Sequence, residues 1–248
     1  MVRRLSLLIL VLVCFSGCSS TPEPEPPGPI ARSGTTPTID GVFEEGEWND
    51  AVVVQAGEYQ QFMVKHDNSN LYFAFKGDGG DLFLERDTCF HLLHASAQLA
   101  WAVYSKSEDT IQSRHKSYDY KLWGLQDKPA DSIKHLIESY LSENGWVASI
   151  GGTKRQTEFA LSFDWLGIDT EAGEYAKIPN IYIYSGMLFA PGDPEIEKLM
   201  ALSIEERKIQ YPTLYWPSEP APKDSFKKVF PDTVSFDPST WGEIWIEL

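Results

Sequence analysis

The strongest constraint on this chain is a period of two that recurs in short runs. Leu71, Phe73 and Phe75 alternate with Tyr72, Ala74 and Lys76. Successive side chains of a strand point to opposite faces, so this alternation predicts a half-buried strand. Asp67-Asn68-Ser69-Asn70 has turn chemistry and joins that run to residues 61–66 as a hairpin. Ala51-Val52-Val53-Val54 is a β-branched run, and Leu99, Trp101 and Val103 alternate in a further strand. Residues 146–150, 157–163, 178–184 and 242–248 complete the strand set. Many short strands with turns between them predict an all-β chain with minor helices, folded as an antiparallel sandwich. The helices fall at 131–141, where Ile133, Leu136, Ile137, Tyr140 and Leu141 share a face, and at 194–202 and 203–209. Ser203 with Glu206 forms a capping box for the last of these. All three are expected as insertions in loops.

A hydrophobic share of 42% supports a packed core. Asp and Glu outnumber Lys and Arg by 36 to 21, a net charge of −15. Such a surface repels phosphate backbones, so nucleic acid is excluded as an expected partner. Residues 1–17 read as a signal peptide. Arg3 and Arg4 precede an apolar run from Leu5 to Phe15 that is too short to span a bilayer. The run ends in Phe15-Ser16-Gly17-Cys18, which resembles a bacterial lipobox with Phe where Leu is usual. The resemblance implies lipidation of Cys18, a membrane anchor and a place in the cell envelope, at the outer membrane or cell surface. Residues 18–37 are rich in proline and read as an extended tether. One domain is expected over 38–248. Cys89 would then be its lone cysteine, an inert apolar residue with no disulfide.

Thr38-Ile39-Asp40-Gly41 opens that domain, and Glu47-Trp48-Asn49-Asp50-Ala51 follows. This stretch resembles the opening of the family 9 carbohydrate-binding modules and their DOMON-like relatives. Asn70-Leu71-Tyr72-Phe73-Ala74-Phe75 is similar to the family's second landmark. Glu158-Phe159-Ala160-Leu161-Ser162-Phe163-Asp164-Trp165-Leu166-Gly167 is similar to its third, with Ser162 where Pro is frequent. The resemblance implies a jelly-roll-like sandwich with sugar binding as one of several uses. The landmarks themselves are structural, and fold does not fix ligand. Trp48 and Trp165 are therefore expected in the core, as is Trp101 by its phase with Leu99 and Val103.

Sugar recognition needs flat apolar faces for C–H groups and polar groups at their edges. Residues 114–123 and 211–217 combine both without strand or helix periodicity, and read as loops. They make Tyr118, Tyr120, Trp123, Tyr215 and Trp216 the candidate ligand-binding residues. The same aromatics could equally pack a long loop onto the sandwich. A neutral carbohydrate is the expected partner, because the acidic surface disfavours acidic glycans. Structural calcium is an open option at Asp78 and Asp81, and at the turn 67–70, since hard cations take oxygen ligands. Haem is the rival ligand implied by the DOMON relatives. Met63 and His66, however, are three apart on a strand and face opposite sides, as do His91 and His94 if 90–94 is strand; on a helix, the latter spacing would suit one metal. No Cys-x-x-Cys-His, His-Glu-x-x-His, Gly-x-Ser-x-Gly or phosphate-binding loop occurs, so the expected role is non-catalytic. A haem or redox module and a scaffold lipoprotein without a small ligand remain the alternatives.

Overall fold

The computed structural model describes residues 26–76, 80–86, 89–95, 100–105, 114–117, 138–139, 141–142, 145–151, 156–171, 173–185, 194–210, 213–217 and 241–248. Numbered in chain order, the strands form two sheets. The first runs β2 (Val52–Ala56), β3 (Gln60–His66), β4 (Asn70–Lys76), β10 (Gln156–Ser162), β9 (Trp146–Gly151), antiparallel throughout. The second runs β1 (Ile30–Ala31), β13 (Gly242–Glu247), β11 (Tyr175–Ser185), β5 (Asp81–Arg86), β6 (Cys89–His94), β7 (Ala100–Ser105), β8 (Arg114–Ser117). β12 (Leu214–Trp216) also pairs with β11, and β1 lies parallel to β13. The chain is an all-β sandwich, as its alternation predicts.

Inner-face positions follow the period of two. Phe62, Val64, Phe73, Phe75, Phe159 and Leu161 from the first sheet are buried against Leu82, Leu84, Ile181, Ile183, Ile244 and Ile246 from the second. Burying each such side chain stabilises the fold by about 1.5–3 kcal/mol. The outer face of the first sheet is covered too. Residues 35–50 form a strap across it, and the residues of opposite phase, Lys65, Tyr72 and Glu158, are buried beneath. That explains why the burial pattern of β4 and β10 is continuous rather than alternating.

Three features depart from the sequence reading. Arg114–Ser117 pairs with β7 as a strand, and Leu214–Trp216 pairs with β11, where both stretches read as loops. Strands of three or four residues are too short to display a period, and Pro212 and Pro217 bracket the second one. The segment assigned to the tether joins the fold from Ile30, because β1 pairs with Trp245 and Ile246. Strand β5 escapes notice because Phe83, between the core residues Leu82 and Leu84, is itself apolar and packs on the other face.

Three helices follow: α1 (Phe163–Leu166), α2 (Pro194–Ala201) and α3 (Ile204–Gln210). The Ser203–Glu206 capping box forms, with Ser203 donating from its backbone N–H to Glu206 at 2.8 Å and Glu206 N–H donating to Ser203 Oγ at 3.3 Å. Of the helix expected at 131–141, residues 138, 139 and 141 are described, and they are helical.

Candidate functional site

The register of β4 and β10 places Ser162 opposite Asn70. The turn that enters β4 and the helical turn that leaves β10 therefore lie side by side at one end of the sandwich. Asp67 organises the first. Its Oδ1 accepts the N–H groups of Ser69 at 3.0 Å and Asn70 at 2.9 Å, and its Oδ2 accepts the hydroxyls of Thr36 and Tyr72. Within this turn Asn68 adopts the left-handed conformation, φ 68°, which Asn tolerates better than most residues. α1 is the second wall. Ser162 caps it, its Oγ accepting the Trp165 N–H at 3.1 Å, so this Ser has a structural role. Phe163 N–H donates to the Ser69 carbonyl at 2.8 Å and ties the two walls together.

Between them opens a cleft of about 720 Å³, lined by Asn68, Ser69, Asn70, Leu141, Ser142, Gly145, Ser162, Phe163, Asp164, Trp165, Ile168 and Thr170. Its floor needs Gly145. At φ 76° a Cβ there would fall 2.4 Å from the Trp165 side chain. Trp165 is half-buried rather than core. The Arg86 guanidinium lies over its ring at 5.1 Å, and His91 meets it edge-on at 5.3 Å. Amides, hydroxyls and the Asp164 carboxylate supply donors and acceptors, Phe163, Trp165 and Ile168 supply apolar surface, and no cation lines the cleft among the described residues.

A second polar cluster lies beneath the strap. Glu158, fully buried, accepts N–H groups from Asp40 at 3.0 Å and Gly41 at 2.7 Å on Oε2, and the Trp48 indole N–H at 2.9 Å on Oε1. Burial, with the nearby Glu47 and Asp40 carboxylates, pushes its pKa well above the ordinary carboxylate value against the opposing donors. On the other side of Trp48, the fully buried Lys65 donates from Nζ to Asp50 at 2.8 Å and sits 5.1 Å over the indole. Gly41 admits no side chain, because a Cβ would meet the Gly151 nitrogen at 2.3 Å. All the partners here are satisfied within the cluster, so it holds the strap rather than a ligand.

The structure separates the residues expected to bind. Trp216 points into the core, edge-on to Phe62 at 5.5 Å and pressed onto Gly242, so its ring is not an open stacking face. Its neighbour Tyr215 turns to the opposite face and packs with Phe83, Tyr182, Tyr184 and Trp241. Tyr118, Tyr120, Trp123, Cys18 and Asp78 lie outside the described residues. Asp81 opens β5, opposite Tyr184 and His94. At the turn 67–70, both Asp67 oxygens are already taken by donors, and among the described residues no three acidic, imidazole or thiol groups converge on a metal position. Met63 and His66 do face opposite sides of β3, Met63 partly buried on the outer face and His66 in the sandwich interior. Trp48 is buried, as its landmark implies. Asn70 and Ser162 to Trp165 were missed as cleft residues because they belong to two landmarks read singly as structure. The signal that could have joined them is the antiparallel register of those landmarks.

No protein-family model matches this chain, and no curated protein sequence does. Among solved structures it is similar to a Bacteroides uniformis protein described as a "putative carbohydrate-binding protein". The two share 11% identity over 89% of this chain and all of the other, with a TM-score of 0.39.

Proposed function

We propose that this chain is a non-catalytic module that binds a neutral, polyhydroxylated ligand, a carbohydrate, in the cleft between the turn 67–70 and α1. The observation that carries the reading is the lining of that cleft. Hydroxyls of a sugar need paired donors and acceptors, which Asn68, Asn70, Ser142, Asp164 and Thr170 offer around an apolar floor. A ligand bearing phosphate or carboxylate would meet Asp164 with no cation among the described lining residues to offset the repulsion. Asp164 is also the only acid among them, whereas glycoside hydrolysis uses two carboxylates. The likeness of the three landmarks to family 9 carbohydrate-binding modules supports the same reading, and in this fold Asp40, Gly41, Trp48 and Glu158 from two of them meet at one point.

A glycan array with the purified protein, followed by calorimetry, tests it. Neutral oligosaccharides should bind with Kd of about micromolar to millimolar, because a shallow site must offset the ordering cost of binding. Asp164→Ala and Thr170→Ala should each weaken binding about tenfold, the loss of about one good hydrogen bond. Binding untouched by both would move the site elsewhere, with 118–123 first in line. No glycan binding would end the reading.

The same proposal includes export and anchoring through lipid on Cys18. The module would then sit at the cell envelope on a short proline-rich tether. Labelled fatty acid should enter the wild-type chain, and Cys18→Ala should abolish labelling and free the protein from membranes. Labelling that persists in the variant would refute the anchor.

A further inference from the structure

We infer that His66 is a positioning residue for the cleft, an uncharged acceptor that holds the wall at 68–70 in place and releases it on taking up a proton. The inference rests on the reading of the cleft as a ligand site.

His66 ends β3 on the inner face and is fully buried. Its Nδ1 accepts the Asn68 N–H at 3.2 Å. Its ring lies 5.8 Å from that of Phe163. Asn68 and Phe163 both line the cleft. An imidazole nitrogen that accepts carries no proton, so the neutral ring holds its hydrogen on Nε2. Nε2 is buried and makes no hydrogen bond of good geometry among the described residues, the Glu247 carbonyl being the acceptor that acts on the ring. Asn68 holds a left-handed backbone, and the His66 acceptor helps to keep it there.

A proton on Nδ1 turns that acceptor into a donor that faces another donor at 3.2 Å. One of the two must move. The turn is short, and Ser69, the next residue, holds Phe163 through its carbonyl. Displacement of Asn68 therefore passes to Ser69 and α1, the two walls of the cleft.

The charged groups around the ring are few. Burial holds His66 below the ordinary histidine range, while the Glu247 carbonyl and the Asp67 and Glu247 carboxylates pull the other way. Arg32, whose carbonyl accepts the His66 N–H, pairs through its side chain with Glu247 at 3.4 Å and draws that charge away. β4 places Leu71 opposite, and α1 presents the Phe163 ring and carries Asp164 on its exposed side. At neutral pH the ring is uncharged and the wall is set.

Amide NMR of the labelled full chain, taken from about pH 7.5 down through the midpoint of the His66 ring, which burial holds below the ordinary histidine range, tests the device without any variant. The Asn68, Ser69 and Phe163 amides should shift with the midpoint of the His66 ring signal. An Asn68 amide that stays still while His66 titrates overturns the inference. His66→Asn keeps an acceptor near the Nδ1 position but cannot titrate, and its amides should stay flat. Calorimetry with maltohexaose, cellohexaose and laminarihexaose over the same range is the second arm. A hexaose that binds should lose affinity by up to about tenfold per pH unit below the midpoint, as one linked proton requires. A hexaose bound equally on both sides of the midpoint overturns the inference and leaves the binding reading intact. If none of the three binds, it is the binding reading that loses support, and the amide shifts alone decide the role of His66.

Discussion

The indole N–H of Trp48 donates to the buried carboxylate of Glu158 across 2.9 Å and 110 positions of sequence. This contact fastens the strap to the first sheet. The face of the same ring carries the Lys65 ammonium, so one aromatic residue touches both a buried carboxyl group and a buried cation. Each group would be costly to bury alone, and each is matched by a hydrogen-bonded partner.

Trp48→Ala should destabilise the protein by about 3–5 kcal/mol, the usual cost of truncating a large buried aromatic. Trp48→Phe separates the two roles of the ring. It keeps a face for Lys65 but strands the Glu158 oxygen, and should cost about 1–3 kcal/mol. Urea unfolding of both variants gives the values. If Trp48→Phe matches wild type, the indole hydrogen bond contributes nothing.

Glu158→Gln is nearly isosteric, yet all three partners of this side chain are donors. The Gln amide nitrogen must face one of them. A loss of about 1–3 kcal/mol is expected, with the strap amides of Asp40 and Gly41 showing faster hydrogen exchange. Unchanged stability and exchange would mean that the side chain already carries a proton and accepts fewer bonds than its geometry allows.

Trp216→Ala and Tyr215→Ala, adjacent on β12, should behave differently. Trp216 fills the core beside Phe62, so its loss should cost about 3–5 kcal/mol. Tyr215 is only partly buried, on the outer cluster, and its loss should cost about half as much or less. Thermal unfolding distinguishes them. Equal costs would show that the outer aromatic cluster carries as much of the stability as the core.

Asp50 links the strap to pH. Partial burial acts to raise its pKa, but hydrogen bonds from Lys65 and from the Thr35 backbone and hydroxyl outweigh it and bring the value down to about 2. The folded value lies below the unfolded one, so the stabilisation is complete above the unfolded pKa of 3.8 and fades as pH falls toward about 2. The stability difference between wild type and Asp50→Asn should therefore be constant from pH 7 to about 5 and shrink below about 4. A difference that stays level at pH 2 would show that the charge of Asp50 is not what holds Lys65.

The fold was legible where a strand was long and its inner-face residues were clearly more apolar than their neighbours. Leu71, Phe73 and Phe75 announce β4, and the turn at 67–70 announces its hairpin with β3. It was illegible where the outward residue is as apolar as the inward ones, since Phe83 interrupts the alternation of Leu82 and Leu84. It was illegible again where a strand is three residues long, as at Leu214–Trp216. The site was harder. Aromatic richness pointed to Trp216, but richness does not say which way a ring turns, and one residue of phase separates Trp216 in the core from Tyr215 outside it. The cleft depends on Ser162 standing opposite Asn70, a pairing of residues far apart in the chain that no local pattern displays.

β13 lies between β1 and β11, and its partner β1 comes from more than two hundred residues earlier in the chain. Until Gly242–Glu247 has been synthesised, Ile30–Ala31 has no strand to join, and the edge of β11 at Tyr175–Ile178 stands open. A nascent chain cannot finish this sandwich as it emerges. It stays unfinished until the late strand arrives, a slow closure of the kind that distant pairings impose.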